Sequence, residues 1–273
     1  MPRILLTGAA GGVGSRLRKL LPPIYPDLIL SDLKKPDDLA PNEKFIGADL
    51  ADMAQVQKIV EGVDGIIHLG GFSVEGPWDT ILSANIIGAY NLFEAARLAG
   101  VKRIVFASSN HAVGFHTRDE KIDTHSLIRP DSRYGVSKAF GEALGSLYAF
   151  KYNIGVLSIR IGNVGEKPLD ERRLSIWLKT EDLVSLIRIG LEREGLVYEV
   201  VYGASDNKRG WWDNTRATEL GYKPEGRSED FAAEVLAAPA STEADPVAGL
   251  FQGGPFCSNE FSGSLERVKK VTP

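Results

Sequence analysis

Short apolar runs alternate with longer amphipathic segments along this chain, and this alternation restricts its fold more than any other feature. Six runs have the length and composition of buried strands: Arg3–Leu6, Leu28–Leu30, Phe45–Ile46, Gly65–Leu69, Arg103–Ala107 and Val156–Arg160. Helical periodicity marks Met53–Val60, Ile81–Leu98, Tyr134–Lys151 and a segment that begins near Thr180. Because strands joined through helices run parallel and need cover on both faces, the sequence predicts an α/β fold with a doubly wound parallel sheet.

Composition and charge exclude several classes of protein. A net charge of −4 provides no basic surface for nucleic acid and no polybasic patch for an anionic membrane, so neither partner is expected. Cys257 is the single cysteine, which rules out an intrachain disulfide and fits a reducing compartment. Because we find no signal-peptide pattern and no apolar stretch of roughly 18 residues, we expect a cytoplasmic protein. His68, His116 and His125 lack metal-ligand spacing, so no metal site is predicted.

A glycine-rich loop over Thr7–Gly14 connects the first predicted strand to the helix that follows it. Gly8 permits a tight turn, and Gly11 or Gly12 lets the backbone approach a pyrophosphate. Gly14 allows the helix to pack closely on the strand, and the helix N-terminus faces the phosphates. An ordinary turn explains many glycine clusters. In this strand–loop–helix context, however, the pattern predicts a dinucleotide site.

Acidic residues follow the second and third predicted strands. Asp32 stands 18 residues after Gly14, where an acid binds the adenosine ribose hydroxyls. Its charge would repel a 2′-phosphate by roughly 4 kcal/mol at about 4 Å, so NAD is the predicted cofactor rather than NADP. The pair Asp49-Leu50 is placed either to touch the adenine or to cap the next helix.

The position of these motifs predicts how the chain divides into domains. We expect a Rossmann domain over 1–165 and a small C-terminal substrate lobe over 166–273, with part of the later chain returning to the core. Within that lobe, Ala237–Pro246 is predicted to be a surface loop.

The segment Tyr134–Lys138 carries the strongest chemical pattern in the chain. Tyr134 and Lys138 are four residues apart on a predicted helix, so the phenol and the ammonium share one face. Ionising a tyrosine near pH 7 costs roughly 4 kcal/mol, because its free pKa is about 10. A nearby cation lowers that pKa by about one to three units, and an oxidised nicotinamide adds positive charge. The pattern predicts that Tyr134 is the general base for a substrate hydroxyl.

The string Ser108-Ser109-Asn110-His111 ends the fifth predicted strand, and ligands of open α/β sheets bind at the carboxyl ends of strands. Ser109 is predicted to orient the substrate oxygen, with Ser108 as the alternative, because adjacent residues point in opposite directions. Asn110 and His111 are candidate substrate contacts, and turn formation is the competing interpretation.

Arg172 and Arg173 lie between two apolar segments further along the chain. An anionic substrate would need one such arginine, because a guanidinium binds a carboxylate through two parallel hydrogen bonds. A surface charge pair is the alternative interpretation.

Together these motifs resemble those of extended short-chain dehydrogenases, and longer strings narrow the resemblance to bacterial uronate dehydrogenases. It extends from the first strand almost to the C-terminus. The string around Ser109 and the Gly-Trp-Trp-Asp-Asn string are specific, whereas the glycine loop is generic. The strings that carry the resemblance are His68–Glu75, Asn85–Gly88, Phe106–His111, Gly210–Asn214 and Phe251–Gly254.

The resemblance implies oxidation of C1 of D-glucuronate or D-galacturonate, with hydride transfer to NAD and release of an aldaric acid lactone. It implies that Tyr134 deprotonates the C1 hydroxyl, that Lys138 holds the nicotinamide ribose, and that Arg172 binds the C6 carboxylate. A homo-oligomer is expected on the same ground. The sugar contacts are then Ser73, Ser109, Asn110, His111, Asn163 and Arg172. The full set of predicted cofactor contacts is Gly8, Gly11, Gly12, Val13, Gly14, Asp32, Asp49, Leu50, Leu69, Gly70, Lys138 and Ile161.

Two departures and two alternative functions accompany this resemblance. The family has a serine in place of Asn163 and a Cys-Thr-type pair in place of Val164-Gly165. Because asparagine and serine both form hydrogen bonds, the first change is compatible with the same chemistry.

The alternative functions have different requirements. A nucleotide-sugar epimerase or dehydratase of the same superfamily needs a larger C-terminal lobe than the about 100 residues after Arg172 provide. A non-catalytic NAD-binding sensor would have no need of Tyr134 and Lys138.

Overall fold

The computed structural model describes residues 1–237 and 245–269, so the loop predicted at Ala237–Pro246 lies largely outside the described residues. The strands are β1 (Arg3–Thr7), β2 (Asp27–Asp32), β3 (Lys44–Gly47), β4 (Gly65–His68), β5 (Arg103–Ser109), β6 (Gly155–Ile161), β7 (Asn163–Val164), β8 (Trp177–Leu178) and β9 (Tyr198–Gly203). The helices are α1 (Gly12–Leu20), α2 (Met53–Ile59), α3 (Trp78–Ile81), α4 (Gly88–Ala99), α5 (Arg133–Tyr152), α6 (Glu171–Ile176), α7 (Thr180–Glu192), α8 (Thr215–Glu219), α9 (Ala232–Ala237), α10 (Pro246–Leu250), α11 (Pro255–Ser258) and α12 (Leu265–Lys269). None of the described helices is long and apolar enough to cross a membrane.

Seven strands form the central sheet in the order β3-β2-β1-β4-β5-β6-β9, and every neighbouring pair is parallel. The strand order reverses between β1 and β4, which opens a crevice at their carboxyl ends. The predicted doubly wound parallel sheet is therefore confirmed. Strand β9 is absent from the sequence-based prediction, because Glu199 interrupts its apolar pattern.

Helices cover both faces of this sheet. Helices α1 and α7 contribute Leu17 and Leu183 to one core, which also contains Leu6 of β1. Helices α2, α4 and α5 cover the opposite face, where Leu92 of α4 packs in a second core with Leu5. Adjacent residues of β1 thus enter opposite cores, as the two-residue period of a strand requires. Because β1 is covered on both faces, its sequence reads as a continuous apolar run.

The chain after residue 165 contributes to both the sheet and a separate lobe. Helix α7 packs in the core of the sheet and β9 forms its edge. Two smaller cores lie beside the sheet, and residues from before position 165, such as Val113 and Phe115, contribute to them. One of these cores contains Trp212, which stacks on Tyr202 with ring centroids 4.8 Å apart. Another contains Phe251 and Cys257, and Cys257 is a buried, packed side chain.

The helix predicted over Ile81–Leu98 is not continuous. A π-helical turn, Leu82–Ile87, separates α3 from α4. Within this turn the Asn85 side chain accepts a hydrogen bond from the Phe72 backbone N–H (2.7 Å) and donates to the Phe72 carbonyl (2.9 Å). Widened turns of this kind concentrate at functional sites. Here the turn brings an amide side chain to the loop after β4.

A buried ion pair joins α5 to β6. Arg160 donates to both carboxylate oxygens of Glu142 at 2.9 Å, and the two side chains are 3% and 4% exposed. Ser108 donates a further hydrogen bond to Glu142 Oε1 at 2.6 Å. A buried charge without a partner is strongly destabilising. This pair therefore fixes the end of β5 relative to the helix that carries Tyr134.

We predict that Glu142→Ala lowers the free energy of unfolding by about 3–5 kcal/mol, because it leaves the Arg160 charge buried and unpaired. The matched control is Glu229→Ala, which breaks the exposed pair with Arg209 and should cost about 0–1 kcal/mol. Urea unfolding of both variants measures the difference. Equal losses would show that the buried pair has no special role in stability.

Candidate active site

All the residues predicted to contact cofactor or substrate line one cleft at the carboxyl ends of the strands. The cleft encloses about 1210 Å³, more than the roughly 300–1,000 Å³ that holds a drug-sized ligand. It extends from Asp32 at the end of β2, past the glycine loop, to Tyr134 on α5 and Arg172 on α6. The space therefore suits a dinucleotide together with a second small molecule.

The glycine loop connects β1 to α1 at the floor of this cleft. Gly8 has a φ of +71°, and a Cβ there would lie 2.8 Å from the Gly70 nitrogen, so the loops after β1 and β4 meet at a distance that only glycine permits. A Cβ on Gly14 would lie 2.1 Å from the Gly8 carbonyl oxygen. The tight turn and the close helix packing predicted for these two glycines are both present.

The part of the cleft beside β2 and β3 carries Asp32, Asp49 and Leu50. Asp32 accepts hydrogen bonds from the backbone N–H groups of Ala10 (2.9 Å) and Leu33 (2.7 Å), which hold its carboxylate beside the glycine loop. The alternative role of Asp49 as the cap of α2 is wrong. Asp52 is the N-cap, and it accepts from the N–H groups of the first turn.

Tyr134 and Lys138 lie on the first two turns of α5, and both are buried. Burial raises the pKa of Tyr134 to about 12, hydrogen bonding to Ser109 opposes this increase, and the negative charge of Asp131 adds to it. Burial lowers the pKa of Lys138 to about 8, so the ammonium remains largely protonated at pH 7. Lys138 Nζ lies 5.4 Å from the centre of the Tyr134 ring and donates to the Ala107 carbonyl at 2.9 Å.

Ser108 and Ser109 point in opposite directions from the end of β5. Ser108 donates to the buried Glu142, whereas Ser109 interacts with Tyr134. The Ser109 hydroxyl oxygen also accepts a hydrogen bond from the His111 backbone N–H at 3.2 Å. The hydroxyl proton of Ser109 therefore stays free to donate to another group. Of the two serines, Ser109 is the one beside the phenol.

His111, Asn110 and Arg172 surround the part of the cleft beyond the tyrosine. The ring of His111 stacks on Phe256 with centroids 3.8 Å apart and meets the Tyr134 ring edge-on at 5.8 Å. In the orientation that satisfies both of its neighbours, the Asn110 amide donates to the Ile161 carbonyl (3.1 Å) and accepts from Arg172 Nη2 (3.2 Å). Asn110 thus connects the end of β6 to the arginine.

Arg172 has no carboxylate partner among residues 1–237 and 245–269. Its Nε donates to the Gln252 carbonyl at 2.9 Å, and it forms no ion pair in the part of the chain that the structure describes. Burial, followed by the positive charges of Arg118 and Arg173, lowers its pKa to about 10. Arg173, in contrast, pairs with Asp170. A cation in this environment is stabilised when an anion enters the cleft.

Residues that the sequence analysis did not identify hold this site in place. The Glu75 carboxylate accepts from the Tyr134 N–H at 3.0 Å and from Arg133 at 2.8 Å, and so ties the loop of Ser73 to the start of α5. Asn85, which bonds to Phe72 of the same loop, also donates a hydrogen bond to the Ser137 hydroxyl of α5 at 2.9 Å, so it forms a second connection between the loop and the helix. Phe256 comes from α11. The strings His68–Glu75 and Asn85–Gly88 contained two of these residues, but only the fold shows what they contact.

The cleft fits a dinucleotide. A Cβ on Gly12 would meet no atom within 4 Å, so open space faces the N-terminal N–H groups of α1, where phosphate oxygens bind. Asp32 can accept from ribose hydroxyls at one end, and Lys138 can donate to the ribose at the other. No group of three or more His, Cys, Asp or Glu side chains within residues 1–237 and 245–269 could hold a metal ion.

A parallel sheet in this strand order, a glycine loop and a Tyr-x-x-x-Lys helix define a dinucleotide-binding oxidoreductase. The family model of the NAD dependent epimerase/dehydratase family matches residues 4–182. The chain belongs to this family, and NAD is the cofactor that the family uses.

Comparison with individual proteins narrows the relationship. A uronate dehydrogenase of Pseudomonas putida is 50% identical over 255 residues, which cover 93% of this chain and 95% of that protein. The structure of a glucuronic acid dehydrogenase from Chromohalobacter salexigens is 46% identical, with a TM-score of 0.90, and covers 94% of this chain and 97% of its own. A mutant uronate dehydrogenase of Agrobacterium tumefaciens in complex with NAD is 44% identical, with a TM-score of 0.91 and coverage of 95% and 98%. The predicted resemblance to uronate dehydrogenases is confirmed.

We predict that Asp32→Ala reduces the preference for NAD over NADP, because it removes a repulsion of roughly 4 kcal/mol at about 4 Å, or up to about a thousandfold. The ratio of kcat/KM for the two cofactors measures the change. Asp37→Ala is the matched control, since Asp37 is exposed and near in sequence; it should leave the ratio unchanged. An unaltered ratio in Asp32→Ala would mean that another group selects the cofactor.

Proposed function

We propose that this protein oxidises C1 of a hexuronic acid, D-glucuronate or D-galacturonate, to an aldaric acid lactone with NAD as the oxidant. The observation that carries the proposal is Arg172, a cation without an anionic partner among the described residues, in the same cleft as Tyr134 and Lys138. Three relatives that are 44–50% identical over most of the chain are named uronate dehydrogenases, and one similar structure is that of a glucuronic acid dehydrogenase. A sugar acid offers a carboxylate that can pair with Arg172 and a hydroxyl proton that Tyr134 can remove.

Each side chain has a defined task in this reaction. Bound NAD supplies the acceptor for the hydride that leaves C1. Tyr134 removes the proton of the C1 hydroxyl, and this requires its pKa to fall from about 12. The Lys138 charge and the positive charge of the oxidised cofactor both stabilise the phenolate. Ser109, whose hydroxyl lies beside the phenol, donates a hydrogen bond to the reacting oxygen.

The carboxylate of the sugar then sets its orientation. Two hydrogen bonds from the Arg172 guanidinium would fix C6 at one end of the pocket. Ser73, Asn110, His111 and Asn163 would contact the sugar hydroxyls. Because Arg172 is partly buried and has no ion pair within the described chain, its attraction for the carboxylate is stronger than that of an exposed arginine.

The remaining assignments concern organisation. We assign cofactor binding chiefly to residues 1–165 and closure of the sugar pocket to the lobe within 166–273, which supplies Arg172 and Phe256. A homo-oligomer is supported by exposed apolar side chains on α4 and α5, such as Tyr90, Leu147 and Phe150, the last of which is 74% exposed. The single cysteine supports a location in the reducing cytoplasm.

We predict that Arg172→Ala raises KM for D-glucuronate and D-galacturonate about 10- to 150-fold, since a charged hydrogen bond contributes about 1.5–3 kcal/mol. NADH formation, followed by absorbance, measures the effect. The wild-type protein should turn over both uronates and should show little activity with glucose or UDP-glucuronate.

Arg173→Ala is the matched control, because Arg173 already pairs with Asp170. A large KM change in this control, with none in Arg172→Ala, would move the carboxylate site to Arg173. Absence of uronate turnover in wild-type protein that binds NAD would refute the proposed function.

We predict that Tyr134→Phe lowers kcat by about 10²- to 10⁴-fold, the usual contribution of a general base. Binding of NADH, measured by fluorescence, should persist because the ring is retained. Tyr152→Phe, the same change at the exposed end of α5, should have no effect on kcat. A near-normal rate in Tyr134→Phe would eliminate Tyr134 as the base.

A further inference from the structure

His111 and Asp131 form a pair beneath the catalytic tyrosine. His111 Nδ1 lies 2.7 Å from Asp131 Oδ2. The Asp131 side chain is fully buried at 0% exposure, whereas His111 is 12% exposed and lines the cleft. The reaction described above assigns no task to this carboxylate.

We propose that Asp131 is a positioning residue that fixes His111 as the Nδ1–H tautomer and so presents Nε2 to the sugar as a hydrogen-bond acceptor. A carboxylate can only accept hydrogen bonds, so the proton between the two groups belongs to Nδ1. In neutral imidazole the other nitrogen then carries a lone pair. The sugar therefore needs a hydroxyl that donates at this position. This part of the inference rests on the proposed function.

The surroundings of the carboxylate support an acceptor role. Ser132 Oγ donates to Asp131 Oδ1 at 2.7 Å, and the Cys257 thiol lies 3.9 Å from Oδ2. Together with His111, these neighbours are all donors. A Cβ on Gly114 or on Gly253 would lie 1.9 Å from Oδ2, so the backbone encloses the carboxylate and leaves no room for another orientation.

The histidine ring is held equally firmly. Phe256 stacks on it with an interplanar angle of 21°, and Tyr134 meets it edge-on. Among the described residues, His111 Nε2 has no hydrogen-bond partner, so it is available to a ligand in the cleft.

The same carboxylate is connected to the helix that bears the base. Ser132 caps α5 by accepting from the Gly135 N–H at 3.0 Å, while its own hydroxyl donates to Asp131. Asp131 therefore sets the position of His111 relative to Tyr134. A tautomer change at His111 would alter recognition of the sugar without moving the base.

The charge of Asp131 also acts on the base and on the arginine. Its negative charge raises the pKa of Tyr134, and it also stabilises the positive charge of Arg172. Neutralising Asp131 would therefore assist ionisation of Tyr134. A loss of activity on neutralisation cannot arise from the effect of charge on the base.

The tautomer can be measured directly in the wild-type protein. The chain has four histidines, and ¹⁵N NMR of labelled imidazole nitrogens distinguishes a protonated nitrogen from a bare one. The His111 signals are assigned by their loss in His111→Gln. We expect a protonated Nδ1 and a bare Nε2 in the neutral ring. A protonated Nε2 would overturn the proposal, whether or not the protein oxidises uronates.

The substitution Asp131→Asn reverses the direction of the hydrogen bond between this side chain and His111 Nδ1. The Ser132 hydroxyl holds the oxygen of the introduced amide, so the amide N–H faces Nδ1 of His111 and places the imidazole proton on Nε2. We expect the NMR signals to exchange accordingly and kcat/KM for uronates to fall about tenfold or more, with unchanged NADH binding.

The matched control is Asp182→Asn. Asp182 is also a buried carboxylate, which accepts from Ser205 and from the N–H groups of Glu225 and Gly226 outside the cleft. The Asp182→Asn variant should have a lower Tm but an unchanged His111 tautomer and an unchanged kcat/KM.

The possible outcomes separate the proposals. If Asp131→Asn likewise lowers only Tm, Asp131 is structural and the proposal fails. If Asp131→Asn does not fold, the wild-type tautomer decides. Wild-type protein with the expected tautomer but no uronate turnover would refute the proposed function alone.

Discussion

The site depends on one constraint, that parallel strands deliver all their carboxyl ends to the same edge of the sheet. Strand β1 leads to the glycine loop, β2 to Asp32, β4 to the loop of Ser73, and β5 to Ser109. Because the strand order reverses beside β1, these loops diverge and leave a crevice between them. Cofactor and sugar sites therefore adjoin without any single segment having to contain both.

Burial then determines the chemistry within that crevice. Lys138 has its pKa lowered to about 8 and Arg172 to about 10, in both cases because burial disfavours the charged form. Tyr134 has its pKa raised for the same reason. Both cations line the same cleft, where their positive charge favours an anionic ligand. This charge is the basis of the proposal that the substrate is a sugar acid.

Sequence reasoning was sufficient where local pattern determines structure. The predicted strands, α5 and the glycine loop depend on spacing and burial that a sequence displays directly. The π-helical turn was not predictable from helical spacing, and its Asn85 side chain bonds to Phe72, 13 positions earlier in a separate loop. Asp49 and Asp52 are both plausible caps in sequence, and only the start of α2 distinguishes them.

The supporting residues of the site were beyond sequence reasoning for a similar reason. Glu75 and Asp131 matter through contacts with Tyr134 and His111 across 59 and 20 positions, respectively. Their role is a property of the folded arrangement. The chemistry of individual residue types was enough to identify the side chains that line the cleft, such as Tyr134 and His111. The residues that position these side chains were identified only from contacts in the folded structure.

The most direct test of this account is to follow the sugar carbon itself. D-Glucuronate labelled with ¹³C at C1 is incubated with the protein and NAD, and ¹³C NMR is recorded while NADH absorbance is measured on the same sample. We expect the anomeric C1 signal to be replaced by a lactone carbonyl signal, with one NADH formed per lactone. Oxidation at another carbon would show that the protein does not act at C1, and a rearranged sugar without net NADH would indicate an epimerase instead.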